Sequence, residues 1–171
     1  MSATNVNEQL FDAITEGNAE VCRVLLEKGA DVHVSDDLFL RLAAYEGHIK
    51  VCRVLLEYGA DANAADGMPL RKAASRGHIK VCRVLLEYGA DANAAGGVPL
   101  WSAASIGHAE VCRALLEYGA GVHVGDEPLR IAALKGDIKV CRVLLEYGAN
   151  ANAITFDEIR GLLHGIVRAT C

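Results

Sequence analysis

The chain has 171 residues, 52% of them apolar and only 5% aromatic, with 17 basic against 22 acidic side chains and a formal charge of -5. That length leaves room for one domain with a sizeable core, and so apolar a composition excludes a disordered chain. The acidic balance gives no basic footprint for nucleic acid, and no run approaches the roughly 20 apolar residues of a membrane span. The opening residues, MSATNVNEQLFDAITEG, lack a secretory apolar run and carry carboxylates early. The expectation is a cytoplasmic protein in a reducing compartment, with no membrane and no nucleic-acid partner.

In chain order, the first predicted element is a helix containing Glu8, Leu10, Ala13 and Ile14, with Asn7 as its N-cap. The phrase VCRVLLEKGADV follows at Val21. It returns as VCRVLLEYGADA at Val51 and Val81, VCRALLEYGAGV at Val111 and VCRVLLEYGANA at Val140, at intervals of 30, 30, 30 and 29 residues. A fixed period of this size marks a solenoid, in which each unit buries its apolar face only by stacking on the next. One domain over 1–171 is expected, with repeats at about 5–34, 35–64, 65–94, 95–124 and 125–153 and a capping helix at 154–171.

The third copy is the cleanest. Pro69 suits the first turn of a short helix carrying Leu70, Ala73 and Ala74, and Gly77 ends it. His78 then opens a second helix with Ile79, Val81, Cys82, Val84, Leu85 and Leu86, which Gly89 terminates. The pairs Ala43–Ala44, Ala73–Ala74, Ala103–Ala104 and Ala132–Ala133 recur where the first helix must approach its neighbours closely. A last helix is expected from about Phe156 to Arg168, weakened by Gly161 and Gly165.

Several columns run through the copies. Cys22, Cys52, Cys82, Cys112 and Cys141 form one. Stacked helices lie about 8–10 Å apart, beyond the roughly 7 Å that a disulfide tolerates between Cα atoms. A line of thiols cannot converge on one metal either, so a semi-buried column of small hydrophobes is expected, with Cys171 the one reactive thiol. His48, His78 and His108 share a column with Asn18 and Asp137, which reads as helix capping. His33 and His123 replace the connector asparagines Asn63, Asn93 and Asn152, which reads as turn chemistry, and His164 stands alone. Arg23, Arg53, Arg83, Arg113 and Arg142 each precede a glutamate by four residues, a pairing expected within one helix. Tyr58, Tyr88, Tyr118 and Tyr147 either pack on neighbours or offer a second contact surface.

The pattern PL-x-x-AA-x-x-GH-x-x-V-x-x-LLE-x-GA-D-x-N resembles the ankyrin repeat over nearly the whole chain. The resemblance implies an all-α solenoid of stacked helix-turn-helix units. The usual repeat has 33 residues, so shortened β-hairpin fingers are expected. The family's T-P-L-H tetrad is altered to LFLR at Leu38, MPLR at Met68, VPLW at Val98 and EPLR at Glu127. The hydrogen bonds of its threonine and histidine therefore cannot be assumed.

In ankyrin proteins the concave groove of first helices and connector tips is the usual partner-binding surface. The copies here differ at just those positions. The implied binding residues are Arg41, Tyr45, Arg71, Lys72, Arg76, Trp101, Ile106, Arg130 and Leu134. They suggest a monomeric, non-enzymatic adaptor for another protein, whose acidic or aromatic segment meets Trp101 with Arg71 and Arg130 on either side. Alternatively the arginines bond connector carbonyls in place of the lost histidines, or the protein is a self-associating scaffold using the C-terminal helix or the tyrosines. No catalytic motif, metal-ligand set or cofactor loop stands out, so no catalytic residue, metal or cofactor is expected.

Overall fold

The computed structural model describes residues 3–122, 126–155, 159, 160 and 162. Its helices are α1 (Ala3–Thr15), α2 (Ala19–Glu27), α3 (Val34–Glu46), α4 (Ile49–Glu57), α5 (Ala64–Arg76), α6 (Ile79–Glu87), α7 (Ala94–Ile106), α8 (Ala109–Glu117), α9 (Glu127–Lys135) and α10 (Ile138–Glu146), followed by a 3-10 turn at Ala151–Ala153. Odd-numbered helices are the first of each repeat and even-numbered ones the second. Two compact units result, Met1–Asp91 and Ala92–Cys171. In the first unit α1 packs on α2 and α3, α3 on α4 and α5, α5 on α6, and the second helices α2, α4 and α6 stack in order. In the second unit α7 packs on α8 and α9, while α10 packs on α8 and α9.

The connectors depart from expectation. Among the described residues there is no strand, so the hairpin finger is absent rather than shortened. Three consecutive residues take left-handed angles instead: Ser35–Asp36–Asp37, Ala65–Asp66–Gly67 and Ala95–Gly96–Gly97. Each non-glycine there costs about 1–2 kcal/mol in backbone energy. The Gly67 and Gly97 amides close these turns by donating to Asn63 O and Asn93 O, both at 2.9 Å. One left-handed turn reverses the chain in fewer residues than a hairpin needs, which accounts for the short period. Pro69 and Pro99 follow the turns, where each begins the right-handed helix as expected.

Within each unit the core is built on leucines. Leu40, Leu55, Leu70, Leu85, Leu100, Leu115, Leu129 and Leu144 alternate between first and second helices and are all fully buried. The alanine pairs are buried beside them. All five column cysteines are free and buried, deeper than the semi-buried placement expected. Burial pushes the Cys52, Cys82 and Cys112 thiols up to about 12 and those of Cys22 and Cys141 to about 11. Val21 and Val24 are exposed although Val51 and Val54 are buried, because α4 packs between the second helices α2 and α6, whereas α2 packs against α4 on one side.

Polar side chains join the repeats more than the sequence suggested. Asn63 accepts from Asp91 N at 2.7 Å and donates to Gly89 O at 2.9 Å, one repeat further on. Asn93 does the same with Gly121 N at 2.7 Å and Gly119 O at 3.0 Å. Asn7 lies inside α1 rather than capping it, and its Oδ1 accepts from Asp31 N at 2.9 Å. An amide carries both a donor and an acceptor, so it can bridge to a backbone N–H and C=O at once. Asn63→Ala is expected to cost about 1–2 kcal/mol by losing both bonds. Urea unfolding checks this, and an unchanged midpoint would show that the bridge does not hold the repeats together.

The histidines are placed at helix starts, but their rings do not cap. His48, His78 and His108 make no side-chain capping bond, whereas Asn18 accepts from Val21 N and Asp137 from Val140 N. The His78 Nε2 lies 3.0 Å from Tyr45 O and the His48 Nε2 3.3 Å from Thr15 O. Facing a carbonyl, that nitrogen must carry the proton and donate. The His48 and His78 rings thus satisfy carbonyls at the C-terminal end of the first helix of the preceding repeat, where no intrahelical partner exists. His33 pairs its Nδ1 with Asp37 Oδ1 at 3.1 Å within its own connector. His123, His164, Cys171 and most of the helix expected from Phe156 to Arg168 lie outside the described residues.

Candidate partner-binding surface

The expected binding residues all fall on first helices, divided between the two units. In the first unit Arg41 and Tyr45 lie on α3, and Arg71, Lys72 and Arg76 on α5. Arg41 turns back on its own connector, its Nη1 donating to Ser35 O at 3.2 Å and Asp36 O at 3.3 Å. This is the backbone-bonding alternative, and it replaces part of the network lost with the T-P-L-H tetrad. Arg71 is half-buried, and its Nε, like that of Arg41, is buried without a hydrogen-bond partner among the described residues.

Tyr45 is the centre of this face. Its ring is half-buried, with the Arg76 guanidinium carbon 4.0 Å from the ring centroid and the Lys72 Nζ 5.7 Å away. Both cations are exposed. The backbone beneath is tightly set. His78 holds Tyr45 O, and the same imidazole packs against Gly47, where a Cβ would lie 2.8 Å from its Cε1. Two columns therefore cooperate to place one ring: the repeated His-Gly contact fixes the helix end, and the variable residues surround the tyrosine.

In the second unit the face is apolar. Trp101 and Ile106 on α7 are 46% and 56% exposed, and Leu134 on α9 is 54% exposed. Leu100, beside the tryptophan, is fully buried, so α7 presents one large side chain inward and the next outward. Arg130 is half-buried and its Nη1 pairs with Glu127 Oε1 at 3.0 Å. Lys135 donates to Ser105 O across the α7–α9 contact. Phe11, in the same column as Trp101, is also exposed.

The second helices carry a different surface. Three arginines of the second helices pair between repeats rather than within their own helix: Arg23–Glu57 at 2.8 Å, Arg53–Glu87 at 3.8 Å and Arg113–Glu146 at 3.0 Å. Arginine-first is the poorer order for an intrahelical pair, and a stacked neighbour brings a carboxylate within range. Hydrogen bonding to these glutamates raises the pKa of Arg23 and Arg113 above the ordinary value. Being exposed, such pairs add little stability. Tyr58 donates to Glu27 Oε1 at 3.3 Å, while Tyr88, Tyr118 and Tyr147 are exposed.

Among the described residues no three His, Cys, Asp or Glu side chains come together as a metal site, and no helix is long and apolar enough to cross a membrane. Helix pairs repeated in tandem, with invariant residues inward and variable ones on the first helices, define a helical-repeat protein. The chain belongs to the ankyrin-repeat family: the family model described as ankyrin repeats (3 copies) matches residues 10–96 and 92–155. No curated protein matches the chain. Ankyrin repeats mediate protein–protein interaction, and members of the family are typically non-enzymatic.

Proposed function

We propose that this chain is a monomeric, non-enzymatic adaptor that binds another protein through the variable faces of its first helices. The observation that carries this reading is Trp101. It occupies a column where Arg41, Arg71 and Arg130 stand in other copies, so stacking does not require an indole there, and it is 46% exposed. Exposed tryptophan on α7, which also carries exposed Ile106 and packs on the α9 helix of exposed Leu134, offers an anchor for an apolar or aromatic partner side chain. Arg41, Tyr45, Arg71, Lys72 and Arg76 supply a cationic face suited to acidic residues of the same partner.

Trp101→Ala is expected to weaken partner binding by about tenfold or more without unfolding the chain, since the side chain is not part of the core. Affinity capture of the partner from the native cell with wild type and variant, followed by titration calorimetry on the captured protein, measures this. An unchanged dissociation constant in a folded variant would refute the role of Trp101. The second reading, a self-associating scaffold, draws on the exposed Tyr88, Tyr118 and Tyr147. Light scattering on the same samples separates the two.

A further inference from the structure

Several described cations in the first unit are spent on a protein group. Arg23 and Arg53 face glutamates, and Arg41 faces carbonyls. Lys72 and Arg76 differ. They are held against the Tyr45 ring, yet among the described residues neither side chain has an ion pair or a hydrogen bond. They stand four residues apart on α5, on one helix face, where like charges repel. Gathering two cations on one ring without a carboxylate between them is electrostatically unfavourable, and an anion docked there would relieve it.

The geometry suits a carboxylate. A guanidinium stacked on an aromatic face uses its flat side, which leaves the N–H edge available for two parallel bonds to a carboxylate. Stacking also restricts the arginine before binding, so less rotamer freedom is lost when the anion arrives. Lys72 adds a point charge one turn away. A long polyanion fits poorly: the chain carries a formal charge of -5, and exposed Glu46 and Asp66 lie next to Tyr45 and at the start of α5. A short acidic stretch can pair with the two cations and avoid both.

We infer that Tyr45, Lys72 and Arg76 form a receptor for an acidic peptide segment of the partner protein, with glutamate or aspartate carboxylates bound by Arg76 and Lys72 over the tyrosine ring. This deepens the proposed function and rests on it. The test uses the full chain and a fluorescein-labelled hexaglutamate peptide, followed by fluorescence anisotropy at about 50 mM salt, where screening is weak. Saturable binding is expected. It should weaken by at least about tenfold in Lys72→Ala/Arg76→Ala, and severalfold in Arg76→Lys, which keeps the charge but loses the planar fork. Tyr45→Leu should weaken it as well, because the arginine loses its platform.

Failure of the wild type to bind hexaglutamate would overturn the inference. So would equal binding by the double variant, or tighter binding of oligouridylate, a phosphorylated peptide or phosphatidylglycerol vesicles than of hexaglutamate. Because the probe carries nothing for Trp101 to meet, failure here leaves the adaptor reading standing. Full partner affinity in Trp101→Ala would sink that reading by a separate measurement.

Discussion

Leu85→Ala lowers the free energy of unfolding by roughly 2–5 kcal/mol, the range for large-to-small changes in a closed core. Leu85 is 0% exposed and lies on α6 of the first unit, whose packing partners include α5. Truncation removes the apolar atoms and leaves a void that neighbouring side chains cannot fill, because alanines already line the first helices. Leu85→Met keeps the volume and should cost less than about 1.5 kcal/mol. Urea denaturation measures both, with an unchanged slope required for the comparison to hold. A loss under about 1 kcal/mol for Leu85→Ala would mean that the layer collapses around the void instead of holding its close packing.

Gly47→Ala is expected to cost roughly 2–4 kcal/mol, from two sources that can be separated. The residue has φ 82°, and a side chain in that left-handed conformation is unfavourable by about 1–2 kcal/mol. The new Cβ would also sit 2.8 Å from the His78 ring, which is held in place by Tyr45 O. Gly29, at φ 89° with nothing within 4 Å, isolates the first source, so Gly29→Ala should show the backbone cost alone. Combining Gly47→Ala with His78→Asn should recover the steric part, since Asn18 fills that column in the first repeat and caps its own helix. A double-mutant cycle reads the coupling directly. No coupling between the two sites would show that the His78 ring does not wedge against Gly47. The same wedge places Tyr45, so loss of hexaglutamate binding in Gly47→Ala would follow from the fold and not from contact.

Much of this was legible in the letters. Period and apolar spacing placed the helices of each repeat, and the proline and glycine positions marked their ends. Trp101, Ile106 and Leu134 were recognisable as outward-facing because the other copies manage without them. What eluded the sequence was the choice of partner. Arg23 and Glu27 are four residues apart, yet the salt bridge is to Glu57; His78 opens a helix, yet its proton goes to Tyr45 O. Asn63 and Asn93 read as turn residues and prove to be bridges to the next repeat. The common signal was present: each polar column recurs at the repeat interval, so each member has a neighbour one repeat away as near as any within its own helix.

The sequence by itself determined that this chain stacks helix pairs, which residues face inward and where the copies are free to vary. Those properties follow from local periodicity and from burial of apolar area, which every copy states again. Only the tertiary structure decided that the connector turns left-handed instead of forming a finger, that Arg41 is occupied by carbonyls, and that Lys72 and Arg76 gather on the Tyr45 ring. Hydrogen bonds and ion pairs are short-ranged and directional, so their partners depend on which groups stacking brings within about 3–4 Å. Spacing along one helix cannot supply that.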